Sequence, residues 1–529
     1  MVPVHHDGSV LRSAAVLAQE SEGGGGILAR IEKTINSWFD PIAEGLGGFV
    51  FKEVTVFGAT FPWIVSWLVL AGIIFTLYFG FIQFRSFKLA TEVVRGKYTR
   101  DDEPGEITHF QALSSAVSGT VGLGNIAGVG VAVTIGGAGA TFWMVLCGLF
   151  GMCTKFVECT LGVKYREEHP DGTVSGGPMH YLRKGIAERI PGSAGRVIGG
   201  TLAGLAAVMI LLFGIGGGNM FQANQTVAQL RDVTGGEDSI LASDGAAFVM
   251  GVILAVVVGA VIFGGIKSIG RVTSKLVPSM AAIYVAACAI VILVNIDLVP
   301  AAFGEIFSGA FTGEGVVGGA IGALIVGFTR AAFSNEAGLG SAPIAHSAVK
   351  TRYPATEGLV ALLEPFIDTV VVCTMTALAI VIANSHFWNE AQATYAESGK
   401  EADGVTVTSS AFETVLPGFP YILTIAVILF AVSTMITWGY YGQKAWGHLF
   451  GESRTSVRVY QAVYCLFIVV GSVLTFSSVL DFTDAVLFLL SVVNIAGLYL
   501  LAPVVKQELA KFRARIREGD VDAELERIG

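Results

Sequence analysis

Apolar stretches long enough to cross a bilayer recur along this chain, and burying all of them in one soluble core is not feasible. Residues 61–81 read FPWIVSWLVLAGIIFTLYFGF and residues 248–265 read FVMGVILAVVVGAVIFGG; about 20 apolar residues cross the hydrocarbon of a membrane. Of the 529 residues, 53% are hydrophobic and 14% charged, against about 25% charged in a soluble domain. Lipid leaves the backbone no water to bond, and helices satisfy their own. The chain is therefore read as an all-α polytopic membrane protein with the lipid bilayer as its surrounding. A net charge of −9 gives no reason to expect a nucleic-acid partner. Cys147, Cys153, Cys159, Cys288, Cys373 and Cys465 all lie in apolar segments without a CxxC pair, so they read as small core side chains rather than zinc ligands or disulfides.

Hydropathy places eleven spans at about 60–83, 108–134, 139–162, 198–228, 244–265, 276–296, 306–329, 357–384, 418–443, 459–479 and 482–504. Lys and Arg then fall almost wholly in alternate loops: Arg85 to Arg100, Lys164 to Arg196, Lys267 to Lys275, Arg330 to Arg352, Lys444 to Arg458, and a basic tail from Lys506. The opposite loops hold Arg231 and Lys400 beside acids such as Glu237, Glu305 and Glu401. Basic loops stay in the cytoplasm, which predicts a multi-pass protein of the cell (inner, cytoplasmic) membrane with its N-terminus outside and its C-terminus inside. The first 26 residues read as a polar tail, not a cleavable signal. Ile31, Ile35, Trp38, Phe39 and Ile42 follow helical spacing and predict an interfacial amphipathic helix over 27–58. The expected organisation is an extracytoplasmic tail at 1–59, an extra span at 60–83, five spans in 108–296, five more in 306–504, and a cytoplasmic tail at 505–529.

Five spans carry the chain across the membrane, so the second five begin on the opposite side and the two halves are inverted. That is a secondary-transporter architecture, with the substrate at helices broken in corresponding positions. The first helix of the first half holds SGTVGLGNIAG (118–128) at its centre. Its spacing and its membrane setting exclude a dinucleotide-binding loop. Gly124 and Gly128 also form a GxxxG pair suited to close packing. Ser118, Thr120 and Asn125 favour an unwound break instead, where freed N–H groups hold a carboxylate and freed carbonyls coordinate sodium. In the second half GVVGGAIGA (315–323) is the expected break, with Gly319 and Gly322 as candidate substrate contacts. A second cluster, SNEAGLGSAP (334–343), is assigned to the inner mouth, because Arg330 suits the cytoplasmic edge better than mid-depth.

Asn219, Gln222, Asn224 and Gln225 crowd one span and suggest a wet cavity, with Gln222 as the expected substrate ligand. Ser433 and Thr434 offer adjacent hydroxyls, with Trp438 one turn on. Such hydroxyls ordinarily bond back to their own helix. Glu364 and Asp368 lie four apart inside an apolar segment, open to a proton relay, a sodium site or a pairing with Arg330. Lys155 and Glu158, three apart, read as a structural pair. His180 and His346 have no metal-like partners in sequence, and the chain carries no catalytic constellation, so it is not read as an enzyme.

The chain resembles the alanine or glycine:cation symporter family, usually sodium-coupled. The likeness rests on FQALSSAVSGTVGLGNIAGV (110–129), GGAGATFWMVLCGLFGMCTKFVECTLGVKYR (136–166), VSGGPMHYL (174–182), GFTRAAFSNEAGLGSAPIAHSAVKT (327–351), EPFIDTVVVCTMTAL (364–378) and STMITWGYYG (433–442). Val145 departs from the family's second tryptophan, and the insertion at 385–417 and GGG at 216–218 bear on the cavity wall. The resemblance implies a leucine-transporter-like fold preceded by one helix. It also implies one sodium held by the Ser118 and Val121 carbonyls with the Ser433 and Thr434 hydroxyls, and a second matched to Thr120 and Asn125. The substrate carboxylate would meet Gly122 and Gly124, and Trp438 would cap a pocket sized for alanine or glycine. Sodium is then a co-transported ligand, with no cofactor expected. Proton coupling through Asp368 or Glu364 is the alternative within transport, and an ion channel the alternative outside it.

Overall fold

The computed structural model describes residues 45 and 47–518, apart from 57–58, 99–102, 171, 243, 313–318, 416 and 475. The residues that define the expected amphipathic helix, Ile31 to Ile42, lie outside that range. Where it was expected to continue, β-branched Val54, Thr55 and Val56 favour extended chain, and β1 (Glu53–Val56) pairs antiparallel with β2 (Ala59–Pro62).

Everything else of consequence is helical. The principal helices are α1 (Trp63–Tyr78), α2 (His109–Thr120), α3 (Ala127–Ile135), α4 (Ala140–Lys164), α5 (Pro178–Arg189), α6 (Ser193–Ile215) and α7 (Phe221–Val233). They continue with α8 (Asp244–Ile262), α9 (Gly265–Val294), α10 (Val299–Thr312), α11 (Gly319–Asn335), α12 (Ala342–His346) and α13 (Pro354–Ala383). The last are α14 (His386–Ser398), α15 (Gly404–Glu413), α16 (Phe419–Phe450), α17 (Arg454–Val473) and α18 (Phe476–Arg517). Among the described residues eight helices are long and apolar enough to cross a membrane, and α2 with α3, bent by 57° at a short break, makes a ninth. The segment expected as one span over 306–329 is instead divided between α10 and α11. Helices also outrun their apolar stretches: α9 begins at Gly265 and carries Lys267, Arg271 and Lys275, and α18 continues through the basic tail to Arg517. Hydropathy marks the part of a helix that lipid covers, and backbone bonding carries the helix on into water.

The start of α2 is fixed by a capping box: the Gln111 N–H donates to Thr108 Oγ1 at 3.2 Å, and the Thr108 N–H donates to Gln111 Oε1 at 3.1 Å. The broken pair packs against α9 and α16 on one side, while α4 packs along α11 and α13. Small residues make these approaches possible, as in other membrane bundles. A Cβ on Gly327 of α11 would lie 2.5 Å from the Ala140 carbonyl oxygen, and one on Gly358 of α13 would lie 2.7 Å from the Phe156 carbonyl oxygen. The second half of the first broken helix, α3, is backed in the same way by α15, where a Cβ on Gly404 would stand 1.9 Å from the Ala127 carbonyl oxygen.

Gly404→Ala forces two backbones apart and is expected to cost about 1–3 kcal/mol, read as a lower thermal-unfolding midpoint in detergent. Gly304→Ala in α10 meets nothing within 4 Å and should leave that midpoint unchanged or slightly raised.

Candidate functional site

The first break is built from its own sequence. Val121 ends α2, Gly122 is extended (φ −134°, ψ −150°), and Leu123–Asn125 make a single tight turn before α3 resumes. The donors freed there find side chains: the Gly122 N–H donates to Asn125 Oδ1 at 2.9 Å, and the Leu123 N–H donates to Gln222 Oε1 at 3.1 Å. Gln222 Nε2 is held in turn by the Gly217 carbonyl at 2.9 Å. Glycine is required at 122 by contact, since a Cβ there would lie 2.4 Å from Thr434 Oγ1.

The second break lies elsewhere than expected. Helix α11 runs without interruption from Gly319 to Asn335, so Gly319 and Gly322 belong to a helix and do not line the cavity; residues 315–318 of that cluster are outside the described range. The chain leaves the helix at EAGLGS, with Glu336 (φ +55°), Gly338 (φ +100°) and Gly340 (φ +77°) all left-handed, and α12 follows. A left-handed glutamate costs about 1–2 kcal/mol, which marks the turn as one imposed by its surroundings. Glu158 Oε1 accepts from the Gly340 N–H at 2.8 Å, and Asn494 Nδ2 donates to the Gly338 carbonyl at 2.8 Å.

Asp368 ties the two breaks together. It sits in a π-helical stretch of α13, Phe366–Cys373, a local underwinding common at functional sites. Its Oδ1 accepts from Asn125 Nδ2 at 2.6 Å, and its Oδ2 accepts from Ser334 Oγ at 2.9 Å and Thr369 Oγ1 at 2.6 Å. Across the break, Thr434 Oγ1 donates to the Ser118 carbonyl at 3.1 Å, and Ser118 Oγ donates to the Ser433 carbonyl at 2.9 Å. Ser433 Oγ bonds back to Phe430 O at 2.9 Å within its own helix.

Between the breaks lies a small cavity with a free volume of about 10 Å³, the space of a single water. Thr120, Gly124, Gln222, Thr434 and Trp438 line it, joined by Phe213, Phe333 and Glu336. Trp438 packs edge-on to Phe213 at 4.8 Å, and its Nε1 donates to Glu336 Oε1 at 3.0 Å. The glycines at 216–218 form a π-helical turn against α16, where a Cβ on Gly218 would lie 2.3 Å from Trp438 Cγ. Two broken helices, paired hydroxyls and an aromatic ring surround one small cavity, which is the candidate binding site.

Comparison with known proteins agrees. The profile of the sodium:alanine symporter family matches residues 49–526. The chain belongs to the sodium:alanine symporter family. It is 37% identical over 452 residues to the sodium/alanine symporter AgcS of Methanococcus maripaludis, covering 85% of this chain and 94% of that one. It is 32% identical over 452 residues to the probable sodium/glutamine symporter GlnT of Bacillus subtilis, covering 85% and 87%. Among solved structures, MhsT in complex with L-phenylalanine superposes with a TM-score of 0.53 at 15% identity, over 77% of this chain and 98% of that one. That likeness carries the leucine-transporter fold. These relatives are transporters, so the family is one of membrane carriers and not of enzymes.

Other polar residues in this symporter-family chain are placed differently from their sequence reading. Three of the four clustered amides are structural or turned away from the cavity. Asn219 donates to the Tyr464 carbonyl at 2.8 Å, Asn224 to the Leu474 carbonyl at 2.7 Å, and Gln225 to Asp403 at 3.3 Å. Arg330 is buried within α11, and its partner is Asp484 of α18 rather than Glu364 or Asp368. Lys155 pairs with Glu364 at 3.3 Å, leaving Glu158 to the second break. His346 is bracketed by Glu357 and Glu364 at 2.6 and 2.5 Å. Glu336 and Phe333 escaped sequence reasoning, although SNEAGLGSAP had already stood out as a second glycine cluster.

Asp484→Asn leaves Arg330 buried without its counter-charge and should cost about 3–5 kcal/mol, seen as a large fall in thermal stability. The double variant Arg330→Met with Asp484→Leu removes both charges and is expected to recover most of that loss.

Proposed function

We propose that the chain imports a small neutral amino acid, alanine or glycine, by sodium symport with alternating access. The carrying observation is the convergence on one small cavity of both helix breaks and the Ser118–Thr434 contact. In this reading one sodium is held by the Ser118 and Val121 carbonyls with the Ser433 and Thr434 hydroxyls; Thr434 already faces the Ser118 carbonyl at 3.1 Å. Ser433 turns its hydroxyl from Phe430 to join it. A second sodium takes Thr120 and Asn125 beside the Asp368 carboxylate. The substrate carboxylate meets the backbone at Gly122 and Gly124, taking over the Gly122 N–H now bonded to Asn125 and the neighbouring Leu123 N–H now bonded to Gln222. Each ligand completes the other's site, so neither crosses alone.

The wall of Phe213, Phe333 and Trp438 leaves room for a methyl group or a hydrogen. The glutamine named for one relative would need that wall to open. The same proposal takes the fold as eleven spans, an extra helix followed by two inverted sets of five, with the N-terminus outside. Two features support that count: the broken helices α2–α3 and α11–α12 open the two sets, and basic residues gather at alternate helix ends. The Arg330–Asp484 pair then lies on the outer side of the cavity and serves as a gate.

The deciding experiment is radiolabelled alanine uptake into proteoliposomes with and without an inward sodium gradient. Accumulation above equilibrium that requires sodium is expected; uptake that ignores sodium but collapses with a protonophore would replace sodium by protons at Asp368. Thr434→Val should raise the sodium concentration for half-maximal uptake at least tenfold in a folded protein, a loss of about 1.4 kcal/mol or more. Gly122→Leu should abolish alanine binding, and normal transport by that variant would move the site elsewhere.

A further inference from the structure

A second set of ionisable side chains lies beside the cavity and has no part in holding sodium. His109 at the start of α2, Glu357 and Glu364 of α13, His346 at the end of α12, Lys155 and Glu158 of α4, and Glu336 at the second break are all buried. Five of them form a continuous path of contacts, from His109 to Lys155. His109 Nδ1 contacts Glu357 Oε2; Glu357 Oε1 stands 2.6 Å from His346 Nδ1; His346 Nε2 stands 2.5 Å from Glu364 Oε1; and Glu364 Oε2 lies 3.3 Å from Lys155 Nζ. Glu158, Glu336 and Asp368 are further carboxylates within electrostatic reach of Lys155. Glu336 is the member that opens on the cavity, where both of its oxygens accept hydrogen bonds, from Trp438 and Ser341.

We propose that this cluster stores one exchangeable proton and releases it when the amino group of the substrate enters the cavity. The proposal rests on the reading of that cavity as an amino-acid site. Charge balance carries it: four carboxylates face three bases, so one negative charge is in excess even with both imidazoles protonated. An uncompensated charge in the interior costs several kcal/mol, and in the empty cavity one proton on a carboxyl removes it. Flanking groups do not. Arg166, which reaches Glu357, is matched by Glu168 at 3.1 Å and by Glu103. Asp368, near Glu336, adds a further negative charge, which the sodium of the proposed cycle would balance. Tyr181, Tyr441 and Cys159, which face Glu158, Glu364 and Lys155, bring no positive charge.

A substrate ammonium at Glu336 supplies the missing positive charge. The carboxyl O–H bond then breaks and its proton leaves for solvent. His346 touches a different glutamate through each ring nitrogen, so it accepts a proton on one side and gives one up on the other. His109 Nε2, buried at the start of α2, has no hydrogen-bond partner among the described residues and is the terminal member of that path. Cys159, His346 and Glu364 stand close enough to ligate a metal. Both imidazole nitrogens already face carboxylates and Lys155 sits on Glu364, which leaves a cation only Cys159.

The test is calorimetric. L-Alanine is titrated into the full-length protein in detergent and sodium, at one pH, in buffers of low and high ionisation enthalpy such as phosphate and Tris. The expected result is a buffer-dependent heat equivalent to about one proton released per alanine bound, cut by more than half in His346→Gln and Glu357→Gln. His109→Gln, at the edge of the cluster, gives the same readout where the deeper variants do not fold. Binding heat that is identical in every buffer, or release unchanged in a folded variant, overturns the proposal. Absence of any alanine heat in sodium would overturn the transport reading instead.

Discussion

A backbone that leaves the helix inside a membrane frees donors and acceptors that lipid cannot satisfy, and the rest of this structure follows from how those groups are paired. At the first break the partners are Asn125 and Gln222; at the second they are Glu158 and Asn494. Each partner comes from the break itself or from a helix packed against it. Positions of α4, α7 and α18 are therefore set by the needs of two short unwound stretches. The glycines of these stretches do two jobs. Gly338 and Gly340 allow left-handed backbone, whereas Gly122 and Gly218 make room for Thr434 and Trp438.

Asp368 gives the arrangement its mechanical unity. One carboxylate accepts from Asn125 at the first break and from Ser334 at the end of α11, so neither broken helix shifts without the other being felt. A cation entering there replaces hydrogen-bond donors with a full positive charge. In the proposed cycle that exchange couples ion and substrate, because the same Asn125 that donates to Asp368 also accepts from the Gly122 N–H beside the cavity. Arg330 and Asp484 supply a comparable tie between α11 and α18. A buried ion pair adds little net stability, but its geometry joins the broken helix to a scaffold helix at one defined place.

Much of the site was legible because its chemistry is local. TVGLGN announces a break through glycine beside polar residues, and Ser433, Thr434 and Trp438 follow from helical spacing. Gln222 was singled out as the expected ligand among four clustered amides, and it is the one of the four that lines the cavity, while the contacts of Asn219, Asn224 and Gln225 were not legible. Those three differ only in which neighbour each one meets. The second break was misplaced for a related reason: Arg330 was weighed as a lone charge seeking water, and its partner lies 154 residues away. Glu364 and Lys155 were read within their own helices, where spacing offered Asp368 and Glu158, while the folded protein joins them to each other.

By itself the sequence determined that the chain is helical and lives in a membrane, that basic residues mark alternate loops, and that helix-breaking glycines lie within apolar segments. These depend on the energy of each stretch against lipid or water, and that energy is written in composition and period. Tertiary structure alone decided which polar residues face the cavity, which of two glycine clusters unwinds, and which buried charges are paired. Those outcomes depend on contacts between residues far apart in the chain, and in a medium of low dielectric the identity of the partner decides whether a charge or a bare amide can be there at all.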